Sequence, residues 1–130
     1  MSHGPWHVDT HSEPGVLRLA LTGRVDEHEM AAFVAAHDAA IDGMHGADYR
    51  VFCDLRGLFP LSPQSAALFE AAKNYSARQP SFRGSAVLVS SSMIALQHQR
   101  TSVAGGVAST ELISDDEAAC RAHLARIDRR

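Results

Sequence analysis

At 130 residues, with 45% hydrophobic and 21% charged side chains, the chain has the size and composition of one globular domain spanning residues 1–130. A domain of that length buries about two-thirds of the surface its unfolded chain exposes, so it needs neither a metal nor a disulfide to fold. A formal net charge of −3, with no basic run before the closing Arg126, Asp128, Arg129 and Arg130, argues against a nucleic-acid partner.

No apolar stretch approaches the roughly 20 residues that a membrane helix requires. The amino terminus lacks the charged-then-apolar layout of a signal peptide, so the expected protein is cytoplasmic and has no transmembrane segment. Cys53 and Cys120 stand alone, without a close motif, and read as buried thiols.

Trp6 to His11 alternates, placing Trp6, Val8 and Thr10 on one strand face and His7, Asp9 and His11 on the other. Ser12-Glu13-Pro14-Gly15 is a turn, and Leu17, Leu19 and Leu21 then recur at period two, which completes a hairpin. Asp26 precedes Glu29 by three, the spacing of a reciprocal cap. The helix it opens carries Met30, Phe33, Val34, His37 and Ile41 on one stripe and stops near Gly43.

Val51 to Asp54 is a short β-forming run that ends on an acid, as expected of a buried strand delivering a polar group to a sheet rim. Gly57 breaks it. Ser62 followed by Pro63 starts a second helix, with Leu68, Phe69, Ala72 and Tyr75 on a common face before Pro80. Gly84 opens a strand through Ala86, Val87, Leu88 and Val89; Met93, Ile94, Leu96 and Val103 mark a third helix ending at Gly105 and Gly106. Thr110 to Ile113 is a last strand, and Ser114-Asp115-Asp116-Glu117 reads as a capping box for a helix carrying Cys120, Leu124 and Ile127.

The fold class is therefore α/β, with the order β-β-α-β-α-β-α-β-α: an opening hairpin, four helices and a mixed, mostly parallel sheet of about five strands. This order resembles the STAS or SpoIIAA-like superfamily. The residues that carry the likeness are Leu21-Thr22-Gly23, Asp54-Leu55-Arg56-Gly57, Ala86 to Ser91 and Ser114 to Ala118. The chain looks most similar to the small bacterial SpoIIAA-like, STAS/SEC14-like branch. The resemblance implies a non-catalytic binding or regulatory domain whose partner is a protein, or a small molecule such as a lipid. In anti-sigma-factor antagonists of the superfamily, a serine at a helix start after the central strand accepts phosphate. Here Ser62 and Pro63 stand where that pattern has its aspartate and serine.

Loops at the carboxyl ends of strands are where open α/β sheets bind ligands, so the candidate contact residues are Asp54, Arg56, Phe59, Leu61, Ser62, Ser65, Ser90, Ser91 and Ser92. For Arg56 the attraction is a planar fork that matches carboxylate or phosphate; for Ser62 an N-cap role explains the residue without any ligand. Ser90 to Ser92 precede a helix whose first N–H groups suit an anion.

His7, Asp9 and His11 have zinc-ligand chemistry but lack a fourth partner, so no metal or other cofactor is assigned. His28, His45, His98 and His123 share no spacing. A second class of function, a small serine- or metal-dependent hydrolase, requires a serine beside a histidine–acid pair that spacing alone does not place. A third is a self-associating homodimer, with Met44, Phe59, Leu61 and Phe82 as apolar loop residues.

Overall fold

The computed structural model describes residues 2–127, so Asp128, Arg129 and Arg130 lie outside it. Six strands form one sheet whose spatial order follows the chain: β1 (Ser2–His3), β2 (Trp6–Asp9), β3 (Val16–Leu21), β4 (Tyr49–Asp54), β5 (Phe82–Leu88) and β6 (Glu111–Ser114). Pairing is antiparallel through β1, β2 and β3 and parallel from β3 to β6. The expected hairpin and crossover order is present, with β1 as a short addition at the edge.

Four helices make the connections: α1 (Glu27–Asp42), α2 (Pro63–Ala77), α3 (Ser92–Gly105) and α4 (Glu117–Ile127). Period-two alternation sorts the central strands into two cores. Leu17, Leu19, Leu21, Val51, Cys53 and Val87 face α1, α2 and α3, while Val16, Phe52, Ala86 and Leu88 face α4. Both faces of β4 are therefore covered, as its unbroken apolar run requires. Phe52 is also flanked by two guanidinium groups, with Arg18 at 5.1 Å and Arg121 at 4.5 Å from its ring. The two cysteines are free and buried in different cores.

The α1 start is the reciprocal cap that its spacing predicts: Glu29 N–H donates to Asp26 and Asp26 N–H donates to Glu29. The α4 start is not. Asp116 accepts from Ala118 N–H at 3.0 Å and Ser114 accepts from Asp116 N–H at 3.0 Å, so Asp116 caps and Glu117 is the first helical residue. Two consecutive Ser- and Asx-type turns serve Asp116 N–H and Ala118 N–H in place of the Glu117 and Ser114 donors that the box would have satisfied.

The expected third helix, α3, is present, but it does not bury most of its apolar markers. Of its four apolar markers only Ile94 is buried; Met93, Leu96 and Val103 are exposed. The inner face is Ile94, His98, Thr101, Ser102 and Gly105, a mostly polar stripe at the same helical period. Likewise α2 buries Lys73 and Ser76 beside Phe69 and Ala72, while Leu68 and Tyr75 are only half-buried. Met44, Leu61 and Phe82 are packed against the core rather than open in loops, and Phe59 alone of that group is exposed.

Candidate functional site

The parallel strands β3 to β6 all end at one rim, and their following loops are tied together there. Gly57, at φ +80°, lets the β4–α2 loop turn back on itself; a Cβ at this position would lie 3.1 Å from Thr22 Oγ1. Three neighbours hold that loop. Gly23 N–H donates to Gly57 O and Phe59 N–H to Gly23 O, both at 2.9 Å, which joins it to the β3–α1 loop. Gly57 N–H donates to Ser90 Oγ at 3.2 Å, which joins it to the β5–α3 loop. The Gln97 side chain accepts from Leu61 N–H at 2.9 Å and donates to Leu61 O at 2.8 Å, which joins it to α3.

On this frame Arg56 donates to both oxygens of Asp54, at 3.1 and 2.8 Å, and its Nη1 stands 3.8 Å from Glu117. Burial alone would raise the Asp54 carboxyl; the Arg56 side-chain and backbone donors outweigh it and hold the group below its ordinary value. The guanidinium fork is thus already occupied by an internal carboxylate, which leaves less of it for an anionic ligand. Phe59, three residues after Arg56 in the same loop, is 52% exposed, with the Arg24 guanidinium 5.9 Å from its ring.

The serines divide by role. Ser62 caps α2, accepting from Ser65 N–H at 3.1 Å, and Ser91 caps α3, accepting from Ile94 N–H at 3.4 Å. Ser90 is taken by Gly57, and Ser92 is exposed at the first position of α3. Ser65 does not belong to the rim surface: it is fully buried and donates to Val25 O at 3.3 Å. Ser90, Ser91 and Ser92 line an open groove of about 350 Å³ with Ile113, Ser114 and Asp115.

The structure brings together a second group that the sequence pattern did not single out. Lys73 Nζ is buried between α2 and α3, donating to His98 O at 3.1 Å, to Ser102 Oγ at 2.9 Å and to Thr101 Oγ1. The His98 ring nitrogens stand 3.1 and 3.0 Å from it. Nε2 of His98 lies 3.4 Å from Glu111 Oε2, which also accepts from Ser85 Oγ at 3.2 Å. Burial pushes Lys73 down to about 7, against the pull of the Glu111 charge. Burial also lowers His98, while Glu111, which burial alone would raise, is held low by its hydrogen bond to His98.

Lys73, His98 and Glu111 border a cavity of about 30 Å³, space for about two water molecules. Ser102 beside Lys73, with the His98–Glu111 pair behind, has the residue types of an activated nucleophile. Its setting is that of a packed joint. Ser102 is fully buried inside a helix, where its neighbours' N–H groups are committed to the helical ladder and offer no oxyanion donors. No buried side-chain polar atom among the described residues lacks a partner, so the cluster is complete as it stands. The legible signal was Gly105 three and seven residues after Ser102 and His98, which marks that stripe of α3 as the one in close approach.

His7, Asp9 and His11 do not converge on a metal site. Asp9 accepts from His11 N–H and from the Ser12 hydroxyl, contacts that hold it down to about 2. No group of three metal-ligating side chains is placed to hold an ion among the described residues. No helix of the described residues is long and apolar enough to cross a membrane. Compared with known proteins, the chain matches no family model and no curated sequence.

Proposed function

We propose that this is a non-catalytic, SpoIIAA-like binding domain of the cytoplasm that engages a partner protein through the rim around Phe59, Arg56 and Ser90. The observation that carries the reading is Phe59: a large aromatic is held half in water by a loop whose backbone is bonded to three neighbouring segments. Burying its exposed half would stabilise a complex by about 1–1.5 kcal/mol, roughly half of what full burial of a Phe gives, and the rigid loop means that little ordering entropy opposes the gain. Aromatic and arginine side chains together, here Phe59 with Arg24 and Arg56, are the composition of interface hot spots. A protein surface suits the rim better than a small anion because the Arg56 fork is taken by Asp54, and Asp115 and Glu117 add negative charge nearby. The order of hairpin and crossovers, and Asp54-Leu55-Arg56-Gly57 at the end of the central strand, support the family assignment.

The test is a photo-crosslinking amino acid at position 59 in the native host, with the same group at exposed His45, at the opposite end of the sheet, as control. A discrete protein adduct at 59, missing at 45 and lost on adding Arg56→Glu, is expected. Equal labelling at both positions, or none at 59, would sink the proposal.

A further inference from the structure

Of the 12 lysine and arginine side chains, Lys73 is the single lysine, and among the described residues it is the only one of them that is buried. A guanidinium stays charged in any protein setting, whereas an amine can shed its proton and expose a nucleophilic lone pair. The Lys73 cluster stands between two spaces. On one side is the cavity of about 30 Å³ that Lys73 borders with His98 and Glu111, otherwise lined largely by apolar groups such as Val51, Phe69 and Val87. On the other, an open groove of about 470 Å³ runs between α3 and β6, with Ser102 and Glu111 in its wall. Glu111 borders both, so a small neutral molecule that slips past it goes from the groove to the amine.

We propose that Lys73 is a carbamate site, where the neutral amine adds carbon dioxide and the product is held by Ser102, Thr101 and His98. Size selects the electrophile. A cavity with space for about two water molecules takes a linear triatomic molecule and excludes larger aldehydes and acyl donors. In the reaction the Nζ lone pair forms the N–C bond, one C=O π pair moves onto oxygen, and the proton leaving nitrogen goes to His98 Nε2, 3.0 Å from Nζ. Glu111, 3.4 Å from the same ring nitrogen, stabilises the imidazolium. With a neutral amine the cluster carries the Glu111 charge alone; afterwards it holds two anions and one cation, so no further net charge is buried. Ser102 and Thr101, whose hydroxyl oxygens accept from Nζ, turn to donate to the carbamate oxygens, and the remaining N–H keeps His98 O. Free amine is available near neutrality because burial brings Lys73 down to about 7, against about 10.4 for an ordinary lysine. The site uses neither Phe59 nor Arg56, so it is independent of the rim.

The test incubates the full chain with carbon-13-labelled bicarbonate at about pH 8, where the buried amine is largely free and an ordinary lysine is not. A carbamate resonance is read by NMR on the intact protein, and its position is mapped by trapping with a trialkyloxonium salt and peptide mass spectrometry. The expected result is a labelled carbamate on Lys73, lost when the chain is unfolded in guanidinium chloride and several-fold weaker in Ser102→Ala at unchanged circular dichroism. Label confined to the α-amine overturns the proposal. So does equal label on Lys73 in the folded and unfolded chain, or full label in Ser102→Ala.

Discussion

Gly105 of α3 lies so close to Lys73 of α2 that a Cβ built on the glycine would stand 2.6 Å from the Lys73 Cβ and 3.1 Å from Glu70 O. The contact is with the stem of the lysine and with backbone, neither of which swings aside. It sets the separation of the two helices, and at that separation the Lys73 ammonium reaches the inner face of α3.

Gly105→Ala therefore tests the joint. Alanine gains about 1 kcal/mol over glycine in helix propensity. Overpacking costs about 1–3 kcal/mol, and a 2.6 Å approach belongs at the upper end of that range. The expected outcome is a net loss, read as a lower urea midpoint with an unchanged slope. A stabilised variant would mean that α3 is free to move outward at little cost.

The buried ammonium makes stability depend on pH in a defined direction. Lys73 releases its proton near 7 in the folded chain, whereas in the unfolded chain it keeps it to about 10.4. Between those values the unfolded state binds more protons, so stability rises with pH by up to about 1.4 kcal/mol per pH unit. Below 7 both states are protonated and the whole cost of the buried charge is present. Urea denaturation from about pH 6 to about pH 9 should show this rise in the wild type and not in Lys73→Met. The groups facing Lys73 are His98 from α3, Glu111 from β6, Cys53 from β4 and Glu70 on its own helix. Parallel pH curves for the two proteins would place the titration elsewhere.

The fold was legible in the sequence because most of its elements carry a strong local period. The leucines of β3, the Asp26–Glu29 cap and the continuous apolar runs of β4 and β5 each describe one arrangement and reinforce one another. In α3 the pattern instead offers two stripes at helical spacing, Met93, Leu96 and Val103 against His98, Thr101 and Ser102. Hydrophobicity selects the first, while the structure buries the second. What decides between them is Lys73, 25 to 29 residues away in α2, whose donors need the second stripe's oxygens. A relation between two helices is not written in the period of either. Asp54 ends β4, Arg56 and Ser62 lie in the loop that follows it and Ser90 in the loop after β5, while Ser65 turns inward because the first turn of α2 packs against the Val25 carbonyl.

Burial on opposite faces of the sheet determines the behaviour of the two thiols. Cys53 faces α2, where burial pushes its thiol well above the ordinary cysteine range; Cys120 lies under the sheet with its Sγ 3.7 Å from Val87 O. Neither reaches the other or solvent. Native protein should show no titratable thiol with a disulfide reagent over minutes, and both should appear in denaturant. Rapid labelling of one thiol in the native state would show that its core opens locally, and oxidation to an intramolecular disulfide would contradict the placement outright.

Phosphorylation is the sharpest test at the rim. A serine switch at the start of α2 needs an exposed hydroxyl and a phosphate that the surroundings accept. Ser62 is exposed, and its oxygen caps the helix; proline occupies the next position, and the Ser65 hydroxyl is buried against Val25. A phosphate at Ser62 would bring about −1.5 to −2 charge to a helix start, which the terminus favours. The one nearby cation of the β4–α2 loop, Arg56, is already engaged by Asp54. The expected result is an unmodified intact mass for protein isolated from its own host, and a loss of about 1 kcal/mol for Ser62→Ala, the usual cost of a missing cap. A dominant species heavier by one phosphate and mapped to Ser62 would make the rim a switch and not a constitutive binding surface. The same species mapped to Ser65 would further require the first turn of α2 to open in the host.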